Sequence, residues 1–228
     1  MTEPRPRPPV DDAELLVRAQ RIAGRSVVQV AERFGLPVPP NLRANKGWLG
    51  QLVEYALGAS AASRAEPDFP HLGIELKTVP VDSMARPRES TYVCVAPLDG
   101  GLASTWEESW CRRKLDRVLF LPVVGDGPLA TRVLGAALLW APSEEERGRL
   151  QADWEEITER VVRGDLEGLD ARVGEILQLR PKGATARDTT WTLDADAQWV
   201  QTMPRGFYLR RAFTAGLLQR AFGVASMS

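Results

Sequence analysis

A single histidine, His71, serves the whole 228-residue chain, and there are only two cysteines, Cys94 and Cys111. A Ser-His-Asp or Cys-His triad, or a histidine-built metal centre, would have to be assembled around that one imidazole. His71 stands between Pro70 and Leu72 in a turn-like stretch, which suits a structural or solvated histidine better than a catalytic one. Two cysteines make neither a disulfide framework nor a zinc site. Cys94 is expected to pack in a strand and Cys111 to sit at a surface or boundary. No G-x-G-x-x-G and no G-x-x-x-x-G-K-[ST] occurs, so no glycine loop offers to cradle a nucleotide. Long hydrophobic runs are missing too. The longest stretch without a charged residue, Val133 to Ser143, has eleven residues, against about 20 for a membrane helix. Met1 to Val10 is rich in Pro and Arg without an apolar centre, so it is no signal peptide and reads as a disordered tail. Neither sign of charge dominates, with 29 Lys and Arg against 30 Asp and Glu, which excludes a uniformly basic nucleic-acid coat. A hydrophobic share of 44% excludes a disordered acidic chain. A soluble cytoplasmic protein with a real core is expected, and no membrane partner.

What is present is patterned. Asp11 to Arg21, Ser26 to Phe34 and Lys46 to Leu57 read as helices. Ile74 to Val79, Thr91 to Leu98, Arg117 to Val124 and Arg132 to Trp140 read as strands. Pro142, Ser143 and Glu146 open a long helix whose apolar stripe is Leu150, Trp154, Ile157 and Val161. Ile176 to Arg180 and Gly206 to Arg210 look like short strands, and Phe213 to Phe222 like a closing helix. This order implies an α/β fold with a central mixed sheet flanked by helices. Charge is segregated along it. Ala141 to Asp170 holds ten acids and four bases, whereas Arg180 to the end holds seven bases and three acids. Those bases alternate with Phe207, Tyr208 and Phe213, a mixture suited to phosphate and base contacts.

The segment from Asp68 to Lys77 carries the chemistry. On a strand, Glu75 and Lys77 share one face with Cα atoms about 6.5–7 Å apart, while Ile74 and Leu76 face the other way. Asp68 lies just upstream, and a connection containing Gly73 can return its carboxylate to the strand. Carboxylates and a lysine at one point suit a hard, oxygen-liking cation such as Mg²⁺, which neutralises a scissile phosphate and activates water. Taken alone, the D…E-x-K pattern also fits a solvated strand edge. On the preceding helix, Lys46, Gly47, Gly50 and Glu54 fall within an arc of about 100°. Trp48, Leu49, Leu52, Val53, Tyr55 and Ala56 occupy the other side. The glycines on the polar face fit either the close approach of something bulky or helix packing through small residues. Glu54 supplies a third acid for a nuclease metal site.

These residues resemble the MutH family of methyl-directed mismatch-repair endonucleases. The likeness runs through Asn45-Lys46-Gly47-Trp48-Leu49-Gly50, Glu54, Leu57-Gly58-Ala59-Ser60, Asp68-Phe69 and Leu72 to Ser83. It continues through Val93 to Leu98, Leu139-Trp140, Leu179 to Lys182 and Pro204 to Leu209, so that it spans about Asp11 to Phe222. The resemblance implies a monomeric enzyme of restriction-endonuclease-like fold. Residues 11–228 would be one domain with an N-terminal catalytic arm and a C-terminal recognition arm around a DNA cleft. It implies Mg²⁺, with Mn²⁺ able to substitute and Ca²⁺ as a non-catalytic stand-in. It implies nicking of the unmethylated strand at hemimethylated GATC sites, 5′ of the G, on activation by MutL, with MutS upstream. Carried onto this chain, Glu54, Asp68, Glu75 and Lys77 are catalytic, the three acids hold the metal, and Lys46 is an auxiliary base. Arg180, Pro181 and Lys182 would enter the major groove, Tyr208 would lie against the adenine whose methylation is sensed, and Tyr92 would be near the DNA.

The chain departs from the family pattern between Gly183 and Met203, where Trp191 and Trp199 are unfamiliar, and at Arg112, where a histidine is expected. A GATC-specific restriction endonuclease making double-strand cuts, and a non-catalytic DNA-binding relative, are the competing readings. The single copy of the domain argues against the first, and the intact set of acids against the second.

Overall fold

Asp11 caps the first helix by accepting the Glu14 N–H at 2.8 Å, and Glu14 reaches back one residue further than in a capping box, to the Val10 N–H. The computed structural model describes residues 2–40, 45, 47–61, 66–102, 105–166, 168, 173–182 and 188–223. In chain order the elements are α1 (Asp12–Ile22), α2 (Val27–Arg33), α3 (Trp48–Leu57), β1 (Glu75–Val81), β2 (Thr91–Ala96), α4 (Trp110–Leu115) and β3 (Val118–Val124). There follow β4 (Val133–Leu134), β5 (Leu138–Trp140), α5 (Glu144–Val162), β6 (Leu177–Pro181), β7 (Thr190–Leu193), β8 (Trp199–Thr202), β9 (Arg205–Leu209) and α6 (Arg211–Phe222). The chain divides into two units. The first is Met1–Glu89 with Asp116–Ala141 and Leu217–Ser228, and the second is Ser90–Leu115 with Pro142–Gly216.

The first unit is built on β3, a continuous apolar run buried on both faces, as a central strand requires. β1 pairs with it in parallel from Glu75↔Val118 to Val81↔Val124, and β4 and β5 pair with its other side antiparallel. The sheet is therefore mixed, and β1 is an edge strand, which is where Pro80 is tolerated. Leu15, Ala19 and Ile22 of α1, Val27, Val30 and Ala31 of α2, and Leu49, Leu52, Val53, Ala56 and Leu57 of α3 share the core with Leu119, Leu121 and Val123. This is the restriction-endonuclease-like core expected from the sequence, a central mixed sheet flanked by helices. One strand differs. Arg132 to Trp140 is broken into β4 and β5, because between the paired positions Val123↔Leu134 and Phe120↔Leu138 stands Pro122, which has no N–H to give. Gly135 crosses that gap, donating its own N–H to Pro122 O at 2.7 Å.

Residues 2–10 are not the free tail that their composition suggested. The Glu3 N–H donates to Arg33 O at 2.9 Å and the Arg33 side chain pairs with the Glu3 carboxylate at 3.0 Å. Pro9 is buried, with its carbonyl against His71 Nε2.

The second unit carries the antiparallel sheet β2-β9-β6 and the hairpin β7–β8. α5 opens on the expected Ser143–Glu146 capping box and buries the expected stripe of Leu150, Trp154, Ile157 and Val161. α5 also supplies Asp153, only 5% exposed, whose carboxylate accepts the Glu175, Ile176 and Leu177 N–H groups at 2.7 Å each. One side chain thus fixes the chain as it enters β6. Removing it strands three donors, one of them at the start of the sheet. Asp153→Ala is expected to cost about 3–5 kcal/mol. Urea unfolding should show a lowered midpoint, with Asp153→Asn intermediate because it keeps one acceptor oxygen. Cys94 packs in β2 as expected. Cys111 does not lie at the surface; it is 1% exposed on the inner side of α4. No helix among the described residues is long and apolar enough to cross a membrane.

Candidate active site and nucleic-acid interface

In the first unit, residues 69–74 fold back on themselves. The Phe69 N–H donates to Ile74 O at 2.9 Å and the Ile74 N–H to Phe69 O at 3.3 Å, with both side chains fully buried. Gly73 sits at φ +64°, with open space where a Cβ would stand, so the position needs glycine for its backbone and not for room. This turn brings Asp68 beside the open edge of β1, where its Oδ2 accepts the Leu76 N–H at 2.8 Å. A donor of the edge strand that no neighbouring strand takes thereby orients the carboxylate. Arg117 holds the same turn, donating to Leu72 O at 2.8 Å and pairing with Asp12.

Strand alternation places Glu75 and Lys77 together as expected, and they form an ion pair of 2.8 Å. Both are enclosed, at 5% side-chain exposure for Glu75 and 14% for Lys77. Glu54 comes from α3, whose apolar side is buried and whose polar side carries Gly50. A Cβ on Gly50 would stand 3.8 Å from Glu54 Oε1, so the carboxylate lies over the glycine. Burial pushes the Glu54 carboxyl above its ordinary value, and repulsion from Asp68 and then Glu75 pushes it further. Lys77 and Arg5 oppose this in part. Glu54, Asp68, Glu75 and Lys77 are therefore within electrostatic reach of one another. Lys46 lies outside the described residues.

Because its carboxyl ionises less readily in the folded chain than in the unfolded one, ionised Glu54 costs stability at neutral pH. That cost vanishes as pH falls below the ordinary glutamate value of 4.5. Glu54→Gln is accordingly expected to raise the metal-free Tm at pH 7, with the gain gone near pH 4, while nicking is lost. Thermal melts at the two pH values check this.

Among the described residues, no three His, Cys, Asp or Glu side chains form a ready-made cage for a metal ion. The donor set still fits a divalent cation of the magnesium type. Such an ion takes one or two carboxylates and completes its octahedron with water and substrate phosphate oxygens, so a closed protein cage is not required.

In the second unit, Phe207 and Leu209 of β9 and Leu177 and Leu179 of β6 are buried on one face of the sheet. The other face carries Tyr92, Tyr208, Gln178 and Arg180, with Tyr92 opposite Tyr208 and Tyr208 opposite Gln178. The Tyr92 and Tyr208 rings meet edge to face at 5.3 Å between centroids. The Arg180 guanidinium stands 5.9 Å from the Tyr208 ring centroid, and Lys182 Nζ stands 3.7 Å from that of Tyr92 while donating to its hydroxyl. Gly206 makes room for this, since a Cβ there would stand 2.9 Å from Tyr92 Cε2 and 3.0 Å from Cys94 O. Pro181 ends β6 opposite Arg205 and, like Arg180 and Lys182, is exposed. Two residues absent from the sequence reading belong here. Gln178, buried, donates to Ser90 Oγ at 2.7 Å, and Ser90 Oγ also accepts from Arg180 at 3.3 Å. The alternation of β6 already put Gln178 on the face of Arg180; the pairing with Ser90 has no local signal.

The divergent stretch after Lys182 holds the β7–β8 hairpin, in which Trp191 faces Gln201 and Leu193 faces Trp199. Both tryptophans are exposed.

The family model described as "DNA mismatch repair enzyme MutH" matches residues 57–153. A DNA mismatch repair protein MutH of Vibrio cholerae is 51% identical over 216 residues, covering 94% of this chain and 98% of that protein. The protein of the same name from Photorhabdus laumondii is 51% identical over 219 residues, covering 95% and 96%. The one from Escherichia coli is 50% identical over 226 residues, covering 97% and 99%. With a mixed-sheet nuclease core, acids gathered at the edge of that sheet and identity of this extent over nearly the full length, the chain belongs to the MutH family of DNA mismatch-repair endonucleases.

Proposed function

We propose that this enzyme nicks the unmethylated strand of hemimethylated GATC sites, 5′ of the G. In this reading it acts as a cytoplasmic monomer that uses Mg²⁺ and is switched on by MutL after MutS has found the mismatch. The observation that carries the proposal is the gathering of Asp68, Glu75 and Lys77 at the open edge of β1, with Glu54 facing them from α3.

Asp68, Glu75 and Glu54 are the residues that would hold the cation. When bound, Mg²⁺ withdraws charge from the scissile phosphate and lowers the pKa of water at the site. Asp68 is pre-oriented by the Leu76 N–H. Lys77, held on Glu75 Oε1 at 2.8 Å, orients the attacking water or meets the negative charge that grows on the phosphate. It does so from an enclosed position where a fixed charge acts more strongly than in bulk water. Lys46 would lie near the same phosphate. The first unit is thus the catalytic arm and the second the recognition arm. Arg180, Pro181 and Lys182 read the major groove, Tyr208 lies against the adenine, and Tyr92 is near the DNA.

Plasmid topology distinguishes the readings. On supercoiled DNA carrying GATC, the expected product is the open circle, formed only with both MutL and Mg²⁺. Linear product without MutL would mean a restriction endonuclease, and binding without cleavage a non-catalytic relative.

A further inference from the structure

Neither the Pro-Arg segment that begins the chain nor the lone His71 has a part in that chemistry, yet they meet. Residues 2–10 contain Pro4, Pro6, Pro8 and Pro9 with Arg5 and Arg7 between them. Proline fixes φ and removes a donor, so such a segment loses little entropy on docking, and its Pro-rich middle, residues 4–9, must be held through carbonyls and side chains. That is how it is held. Arg5 Nη2 donates to Ala59 O at 2.7 Å and its guanidinium lies 5.3 Å from the Tyr55 ring centroid. Tyr55 adjoins Glu54, and the Ala59 N–H donates to Glu54 O at 2.8 Å, so Arg5 grips the turn of α3 on which Glu54 stands. Arg18 donates both to Arg7 O and to Leu57 O at the end of the same helix. Gly58, at φ +80°, lets the backbones touch, since a Cβ there would stand 2.5 Å from Arg7 O. Two residues on, Pro9 O meets His71 Nε2, within the turn that joins Asp68 to Glu75. One short segment therefore binds both pieces of chain that carry the acids.

We propose that residues 2–10 are a positioning strap of the active site, in which Arg5 sets Glu54 of α3 against Asp68 and Glu75, and Pro9 and His71 anchor the other side. The proposal rests on the assignment of those three acids as the catalytic set. The guanidinium also places a positive charge within reach of Glu54, opposing the repulsion from its fellow carboxylates. Groups that orient metal-binding side chains from behind are commonly worth about 10–100-fold in metal affinity or activity.

The test uses the full-length protein with Arg5→Ala, Arg5→Lys, His71→Ala and Glu3→Ala, together with Glu75→Gln. Mn²⁺ binding to the DNA-free protein is measured by calorimetry, and MutL-activated nicking is followed against Mg²⁺ concentration. Arg5→Ala is expected to weaken Mn²⁺ binding and slow nicking by about 10–100-fold, with Arg5→Lys between it and wild type and His71→Ala changing both in the same direction. Glu3→Ala, which loosens the strap at its far end on Arg33, should lower Tm and leave Mn²⁺ affinity unchanged. Wild-type Mn²⁺ affinity and nicking in Arg5→Ala would overturn the proposal, and so would an equal loss of metal affinity in Glu3→Ala, which would make the strap merely structural. Glu75→Gln separates the two levels. If it is inactive while Arg5→Ala is normal, the strap fails alone; if it nicks normally, the assignment of the acids fails with it.

Discussion

Glu75→Ala is expected to lower the nicking rate by about 10³-fold or more while leaving GATC binding intact or slightly tighter. The loss is large because in the proposed mechanism the residue would serve twice, as a ligand toward the cation and as the acceptor that holds Lys77 at 2.8 Å. Removing a single preorganised electrostatic partner in an enclosed site already costs about 10²–10³-fold. Binding survives because DNA affinity comes from bases and aromatics meeting phosphate and groove, and removal of a carboxylate relieves repulsion from phosphate. The alanine variant removes the carboxylate with which the enclosed ammonium of Lys77 is paired, which is destabilising. Glu75→Gln, which keeps the volume and a carbonyl acceptor, should fold normally and still be inactive. Cleavage at near wild-type rate in either variant would remove Glu75 from the metal site.

Tyr208→Ser is expected to change which methylation states are cut, by about 5–150-fold in the ratio of rates. That is the range of 1–3 kcal/mol typical for a side chain that reads a base edge. The N6-methyl group of adenine projects into the major groove in place of one donor hydrogen, so a ring held close to N6 can reject it by contact. The structure meets the condition for this role. Phe207 and Leu209 are 2% and 1% exposed and anchor β9 from its other face, whereas Tyr208 is half-buried against Tyr92 and under Arg180. The variant should therefore stay folded. Rates on unmethylated, hemimethylated and fully methylated GATC duplexes give the answer. A folded variant with the ratios unchanged would leave Tyr208 a packing residue.

The parts of the molecule that the sequence disclosed are those whose signal is local. The run 118–123 could only be a buried strand, and alternation alone put Glu75 with Lys77 and separated Tyr208 from Phe207 and Leu209. Helical periodicity placed Glu54 on the polar side of α3. What was missed depends on partners distant in the chain. The break between β4 and β5 is imposed by Pro122 on the neighbouring strand. The clamp of Asp153 joins α5 to residues 175–177, and Arg5 acts on α3 from about fifty positions away. The β7–β8 hairpin escaped for another reason. Its turn puts Ala197, not glycine or asparagine, at φ +57°, and is held by Asp194 Oδ1 accepting the Asp196 and Gln198 N–H groups at 3.0 and 2.9 Å, so the usual turn signature is absent. For α4 a signal existed, because Ser109 Oγ accepts the Arg112 N–H at 3.0 Å, the mark of a helix start.

The central claim, that acids on the edge of β1 and on α3 serve a metal-dependent, methylation-directed nickase, is tested most directly by mapping the cut. A circular duplex with one hemimethylated GATC and one mismatch is incubated with MutS, MutL, ATP and the enzyme, and the ends are located at single-nucleotide resolution with Mg²⁺ and with EDTA. The account predicts one break, in the unmethylated strand, 5′ of the G, present with Mg²⁺ and absent with EDTA and in Glu75→Gln. A break in the methylated strand, breaks in both strands, or a cut that persists in EDTA would contradict it.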